Sequence, residues 1–186
     1  YLDEANPPTG LLEVAASTGN SDYTRCLVMH SLSKRSNAPG LRSGFVAGDA
    51  NILKSFLLFR TYHGCAMPPH TQTTSIVAWQ DETHVAENRR LYREKFDAVM
   101  QILSPIMEIP EPQASFYLWP KTPIDDVIFT RDIFKTQHLN VVPGSYLSRE
   151  VDGVNPGANR IRLALVAEPE QCIEAAQRIK HFLETI

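Results

Sequence analysis

Cysteine is scarce in this 186-residue chain, which contains only Cys26, Cys65 and Cys172. The three are far apart, odd in number and free of any Cys-x-x-Cys spacing, so neither a disulfide framework nor a zinc site is supported. We therefore expect no metal, and a reducing, cytoplasmic setting. No basic partner is indicated for Cys65, which predicts a small buried or interface residue rather than a nucleophile.

Long apolar runs and an excess of one charge are also missing. No stretch approaches the length that spans a bilayer, and the first eight residues contain neither a charged nor an apolar leader region. The net charge of −3 arises from interspersed residues of both signs, so no basic face indicates nucleic acid or anionic lipid. We expect a globular chain with no nucleic-acid partner and no membrane partner.

Proline and charge divide the chain into three parts. Apolar residues at intervals of three and four predict a long, half-exposed helix from about residue 83 to residue 103. Pro105, Pro110 and Pro112 then interrupt the pattern. The predicted parts are a first domain over 1–82, a connecting helix and linker over 83–112, and a small domain over 113–186.

Shorter patterns predict the remaining elements. The apolar run from Arg25 to His30 does not alternate, as is typical of parallel strands, and the polar residues 31–40 after it read as a loop. Asp49 is predicted to cap a helix that runs to about Arg60. The other predicted elements are helices at 71–79, at 125–137 and from Pro169, and strands at 44–48, 114–119, 139–142 and 160–166.

Chemistry-bearing side chains are concentrated just after the first predicted strand. Ser31, Ser33 and Lys34 are followed eight residues after the lysine by Arg42, which has a glycine two residues away on each side. Two hydroxyls and a forked guanidinium suit a phosphate, and an amine can form a Schiff base with an aldehyde. A lysine in a serine-rich loop is, taken alone, most often a solvated surface residue.

Residues 31–44 resemble the lysine signature of the class I/II aminotransferases of fold type I, Ser-x-Ser-Lys followed by Gly-x-Arg-x-Gly. Shorter matches follow in the family's order at residues 64–67, 114–119, 142–146 and 162–166. The resemblance thus covers nearly the whole chain. It implies pyridoxal 5′-phosphate as the cofactor.

The resemblance also implies a role for individual residues. Lys34 would form the Schiff base with the cofactor and move the substrate proton, while Ser31, Ser33 and Arg42 would hold the cofactor phosphate. Arg162 matches the family arginine that binds the substrate α-carboxylate, a task that suits a bidentate fork.

A second arginine competes for the carboxylate role. Arg160 lies two residues before Arg162 and would point to the same face of a strand. Either arginine could instead be a surface residue paired with an acidic neighbour, which would contribute little. The assignment to Arg162 rests on the family's register.

The fold implied by the resemblance is α/β. Residues 1–82 would be the C-terminal part of a large cofactor-binding domain with a mostly parallel sheet, and residues 113–186 a small α/β domain of a homodimer. The family's aspartate that pairs with the pyridine nitrogen, and a nearby tyrosine, cannot be placed in this sequence. We therefore expect a C-terminal part of a longer enzyme that is inactive by itself.

Within the family, the sequence is similar to bacterial N-succinyldiaminopimelate aminotransferases. This implies amino transfer between glutamate and 2-oxoglutarate, and between N-succinyl-LL-2,6-diaminopimelate and N-succinyl-2-amino-6-oxopimelate, in lysine biosynthesis. Other fold type I enzymes remain open, namely an aspartate or aromatic aminotransferase or a carbon–sulfur lyase. A cofactor-sensing domain of a transcription regulator is the alternative of another class.

Overall fold

A computed structural model describes residues 5–64 and 66–186 of the chain. Cys65, predicted to be a small buried or interface residue, lies outside the described residues. The chain divides into two compact units, which we call the lysine unit (8–88) and the C-terminal unit (89–186, with residues before Pro8). The predicted domain limits at 82 and 112 remain a prediction.

The lysine unit contains four helices, one 3-10 turn, two strands and the beginning of a fifth helix among its described residues. They are α1 (Leu11–Ser17), β1 (Leu27–Ser31), α2 (Leu32–Arg35), the 3-10 turn Pro39–Leu41, β2 (Gly44–Gly48), α3 (Ala50–Tyr62), α4 (Pro69–Gln80) and α5 (Thr83–Leu103), which continues into the C-terminal unit. The sequence predicted α5 and β2 at these positions. It did not predict α1.

Strands β1 and β2 pair antiparallel, with Leu27 opposite Gly48 and Ser31 opposite Gly44. The interpretation of β1 as a strand in a parallel pair is therefore wrong for this pair, and the described residues contain only antiparallel pairs. An unbroken apolar run does not report the direction of the neighbouring strand. In β1 it does not report burial either, since Met29 is 75% exposed. The mixed α/β class expected from the sequence is confirmed.

Helix α3 begins at the predicted cap. The Asp49 carboxylate accepts hydrogen bonds from the backbone N–H groups of Asn51 (2.8 Å) and Ile52 (3.2 Å), which satisfies two donors at the start of the helix. No described residue of α3 is buried. Leu57 and Tyr62 are more than two-thirds exposed, so this apolar helix finds little packing within the lysine unit.

The C-terminal unit packs three helices against one small sheet. Its strands are ordered β3-β5-β4 and all pair antiparallel. The elements are the rest of α5, β3 (Tyr117–Leu118), α6 (Asp126–Gln137), β4 (Val142–Pro143), the 3-10 turn Gly144–Tyr146, β5 (Ile161–Ala164) and α7 (Pro169–Leu183). Strands β3 and β5 are shorter than predicted.

The last helix, α7, places one of its faces in the core of the C-terminal unit. Cys172, Ala176 and Ile179 of α7 are buried, as the spacing of three and four predicts. Phe129 of α6 meets Phe182 of α7 edge to face, with ring centroids 5.1 Å apart. The contiguous apolar core that includes these residues sits between the helices and the sheet.

A buried carboxylate joins three segments of the C-terminal unit. Asp126, at the start of α6, is 2% exposed. It accepts hydrogen bonds from Ser145 Oγ (2.6 Å), Ser145 N (2.9 Å) and Asn159 N (3.0 Å). Burial alone would raise the pKa of Asp126, but these hydrogen bonds outweigh burial, and its pKa lies below the ordinary value.

Replacing Asp126 with asparagine is expected to lower the free energy of unfolding by about 2 kcal/mol, the scale of hydrogen bonds to a charged group. An amide offers only one acceptor oxygen, so at least one N–H or O–H of Ser145 or Asn159 would face an NH₂ group. Urea denaturation of the two proteins measures the difference. Asp97→Asn is the matched control, since Asp97 is exposed.

The same pair of proteins has an expected pH dependence. Because folding lowers the pKa of Asp126, its contribution is fully present above the unfolded pKa of about 3.9 and declines as pH falls below it. The stability advantage of the wild type over Asp126→Asn should therefore shrink under acid. An advantage that grew on acidification would contradict the assignment of Asp126 as a stabilising carboxylate.

Candidate functional site

Lys34 lies on α2, a single helical turn that begins where β1 ends. Ser31 caps this turn, since its Oγ accepts a hydrogen bond from Ser33 N (3.1 Å). Leu32 is fully buried beneath the turn, and Lys34 is exposed. The prediction of a loop over 31–40 is wrong for these residues, because composition favoured a loop while the serine signalled a cap.

The segment that carries Arg42 returns beside Ser31. Ser43 O accepts hydrogen bonds from Leu32 N and from Ser31 Oγ, each at 3.1 Å. Arg42 is exposed and adopts a left-handed backbone conformation, with φ of 51°. Its Nη1 donates to Pro39 O at 3.0 Å. The structure thus holds the two ends of the predicted phosphate-binding segment together.

The hydroxyls predicted to contact phosphate are direct neighbours. Ser31 Oγ and Ser33 Oγ lie 2.9 Å apart, within hydrogen-bond distance. Because the Ser31 hydroxyl has one proton, it donates either to Ser33 Oγ or to Ser43 O, and not to both at once. Two hydroxyls, an exposed ammonium and an exposed guanidinium form a donor set that fits a phosphate ester bearing an aldehyde. The roles of Ser31, Ser33, Lys34 and Arg42 in binding remain predictions.

The two candidate arginines of the C-terminal unit differ in their surroundings. Arg160 donates from Nη1 to Trp119 O (3.2 Å) and lies 4.0 Å from a Glu108 oxygen. Arg162, on β5, has a buried Nε with no hydrogen-bond partner among the described residues, and its guanidinium carbon lies 6.0 Å from the centroid of the Tyr117 ring. Arg160 is therefore engaged in structural contacts, whereas the buried Nε of Arg162 is an unsatisfied donor among the described residues.

Sequence reasoning missed the side chains that anchor α2, which we call the lysine turn, within its own unit. The Arg35 side chain is 10% exposed and forms an ion pair with Glu82. It also donates to Ala78 O (2.8 Å) and lies over the Trp79 ring, 5.0 Å from the centroid. The partners are 43 to 47 residues apart in sequence, and no local pattern connects them.

A second anchor runs through His84. Its Nε2 lies 2.8 Å from Ser36 Oγ, and its Nδ1 lies 2.5 Å from Asp81 Oδ2. The hydrogen bond with His84 is the largest cause that lowers the pKa of Asp81 to about 2, and the Thr83 backbone N–H adds to it. Asp81 is therefore an anion at neutral pH.

The matching of the chain to known proteins now decides its family. A model of the aminotransferase class I and II family matches residues 9–179. The chain belongs to the class I and II aminotransferase family. Members of this family use pyridoxal 5′-phosphate and act on amino acids and keto acids.

Individual relatives support the same assignment. An aminotransferase from Neisseria meningitidis is 49% identical, with a TM-score of 0.92 over 98% of this chain and 46% of its own. LL-diaminopimelate aminotransferase from Syntrophobacter fumaroxidans is 32% identical over 155 residues, which are 81% of this chain and 38% of the relative. The present aminotransferase chain spans less than half of either relative.

A third relative bears on the substrate. A Thermus thermophilus protein described as a probable N-succinyldiaminopimelate aminotransferase is 26% identical, with a TM-score of 0.76 over 87% of this chain and 43% of its own. Two of these three relatives are thus named after diaminopimelate compounds, one succinylated and one not. The present aminotransferase chain shares part of the fold type I architecture with the Neisseria and Thermus structures.

Membrane-spanning helices and metal sites were looked for in residues 5–64 and 66–186, the described part of the chain. None of the helices found there combines the length and the apolar composition needed to cross a bilayer. In the same residues, no group of three or more His, Cys, Asp or Glu side chains is arranged to hold a metal ion.

Proposed function

We propose that the whole protein containing this aminotransferase chain transfers amino groups between amino acids and 2-oxo acids with pyridoxal 5′-phosphate. The observation that carries the proposal is the exposed Lys34, presented on a capped turn beside Ser31 and Ser33, with Arg42 on the adjoining segment. This donor set matches what a phosphate-bearing aldehyde requires. The family match supports the same chemistry.

Lys34 has two tasks in this proposal. Its Nζ holds the cofactor at rest, and during turnover the same amine takes the proton from the substrate Cα. The bound cofactor supplies the electron sink for that proton abstraction. Hydrogen bonds of Ser31 fix the start of the turn that carries Lys34, so the lysine side chain extends toward both positions from a defined point of the backbone.

The phosphate is held from the same segment. Arg42 provides a planar fork and full positive charge, and Ser31 and Ser33 provide two neighbouring hydroxyls whose oxygens lie 2.9 Å apart. Arg162 binds the substrate α-carboxylate through a guanidinium whose buried Nε lacks a partner in the described chain.

For the substrate we propose N-succinyl-LL-2,6-diaminopimelate, with 2-oxoglutarate as amino acceptor, in lysine biosynthesis. Support comes from the diaminopimelate substrates named for the Syntrophobacter and Thermus relatives. The whole protein is further proposed to be a cytoplasmic homodimer, because dimers are typical of the family.

The substrate assignment predicts a specific order of kcat/KM values. With 2-oxoglutarate, the whole protein should use N-succinyl-LL-2,6-diaminopimelate at least about tenfold better than unsuccinylated LL-2,6-diaminopimelate, aspartate or phenylalanine, since a pocket built for a polar group discriminates strongly against its absence. Glutamate formation by each amino donor provides the measurement.

Each other outcome of this experiment has a defined meaning. A preference for unsuccinylated diaminopimelate would reject the succinylated substrate and keep the aminotransferase. Release of pyruvate and ammonia from a cystathionine-like compound, without glutamate formation, would reject transamination in favour of a carbon–sulfur lyase. Cofactor binding with no turnover of any donor would favour the sensing role.

A further inference from the structure

The helix that carries Lys34 is too short to hold itself in place. Helix α2 has four residues, and an isolated turn of this length is unstable in water. Its direction must therefore come from contacts at its two ends. At the first end, Ser31 provides the cap and Leu32 is buried.

At the second end, α2 ends at Arg35, and the next residue, Ser36, lies against His84. The Asp81 carboxylate is an anion and can only accept, so the proton between Asp81 and His84 belongs to His84 Nδ1. On the other side of the ring, His84 Nε2 and Ser36 Oγ are joined by a hydrogen bond of 2.8 Å. The three side chains form one continuous hydrogen-bonded relay, Asp81–His84–Ser36.

The far end of the relay is fixed to the backbone. Asp81 Oδ1 accepts a hydrogen bond from Thr83 N (3.0 Å) at the beginning of α5. The relay therefore connects the lysine turn to the corner between α4 and α5. Arg35 makes a parallel connection to the same corner through Ala78 O.

We propose that His84 is a positioning residue that fixes the lysine turn through Ser36 and so sets the position from which the Lys34 side chain extends. This inference rests on the proposed function. His84 does not touch the cofactor in this proposal. Removing its ring would take away the hydrogen bond that joins Ser36 to the corner between α4 and α5, and Lys34 would sample a wider range of positions.

The relay also has the order of groups that activates a serine nucleophile. Two contacts argue against that use. The Ser36 N–H is donated to Leu32 O at 3.0 Å, so it cannot stabilise an oxyanion. Arg35 Nη1 also donates to Ser36 Oγ at 3.4 Å, which occupies a lone pair of the oxygen that would attack. Positioning uses every contact of the relay, whereas nucleophilic catalysis would have to do without the Ser36 N–H.

The test is amide hydrogen exchange on the whole protein without cofactor. His84→Ala should speed exchange of the Ser36 N–H, the helical bond of α2, by about tenfold, the effect of one lost hydrogen bond. For the amides of Leu32 and Ser33, Ser36→Ala and His84→Ala should increase the exchange rate by the same factor. The double variant should increase the exchange rate of these two amides no more than either single variant, because each single change already breaks the relay. His70→Ala, an exposed histidine of α4, is the control.

Kinetics of the cofactor-loaded protein test the consequence for Lys34. His84→Ala should lower kcat about tenfold and leave the KM for the amino donor within about twofold, because only the position of the amine changes.

Faster exchange with unchanged kcat would reject the positioning role, as would an unchanged exchange rate or additive effects in the double variant. Labelling of Ser36 by a fluorophosphonate would also reject it, in favour of a nucleophile. If the protein proved not to be a transaminase, the wild type would show no turnover, while the exchange arm would still report on the relay.

Discussion

Lys34→Ala is expected to reduce transamination by the whole protein by about 10⁴-fold or more, because one change removes both the covalent attachment and the group that moves the proton. The visible absorption band of the lysine-bound cofactor should disappear as well. Steady-state kinetics and an absorption spectrum of the purified variant provide the two measurements. No neighbouring side chain on α2 can replace the amine, since Ser33 and Arg35 flank it.

The matched control is Lys54→Ala. Lys54 is an exposed lysine of α3 in the same unit, so its removal changes net charge equally. Activity and spectrum should then stay close to those of the wild type. A Lys34→Ala variant that kept the visible band would show that another amine holds the cofactor, and the central assignment would be wrong.

Arg162→Lys is expected to lower kcat/KM for the amino donor by about 10²-fold. Lysine keeps the charge but loses the planar fork, and with it one of two parallel hydrogen bonds to a carboxylate, each of which contributes about 1.5–3 kcal/mol. The loss should appear with every α-amino acid tested, because the α-carboxylate is common to all of them.

Arg160→Lys provides the comparison for this prediction. Arg160 is committed to Trp119 O and lies near Glu108, so its replacement should change stability slightly and kcat/KM by less than about threefold. If Arg160→Lys caused the larger loss, the carboxylate role would pass to Arg160, and the register taken from the family would be shifted by two residues.

The chemistry of the segment 31–44, which we call the lysine segment, could be predicted because it is local in sequence. Ser31, Ser33, Lys34 and Arg42 lie within twelve residues, and their spacing alone brings hydroxyls and cations together. The Asp49 cap was predictable for the same reason, since a cap concerns donors two and three residues away. The spacing of α7 likewise reported a buried face directly.

Contacts between distant segments left no signal in the sequence. Arg35 finds Ala78 and Glu82, and Ser36 finds His84, across 43 to 48 residues. The direction of β2 relative to β1 depends on how the intervening segment turns, which periodicity does not record. Arg160 and Arg162 were equivalent by strand parity, and only the packing around β5 distinguishes them.

Arg42 shows that the lysine segment carries conformational strain. A residue with a β-carbon pays roughly 1 kcal/mol to adopt the left-handed region, which glycine enters freely. Gly40 and Gly44 lie two residues away, yet the unfavourable dihedral angles fall on the arginine. A selection for thermal stability alone would therefore favour glycine at position 42, and the stabilised protein would have lost the guanidinium proposed to hold the phosphate.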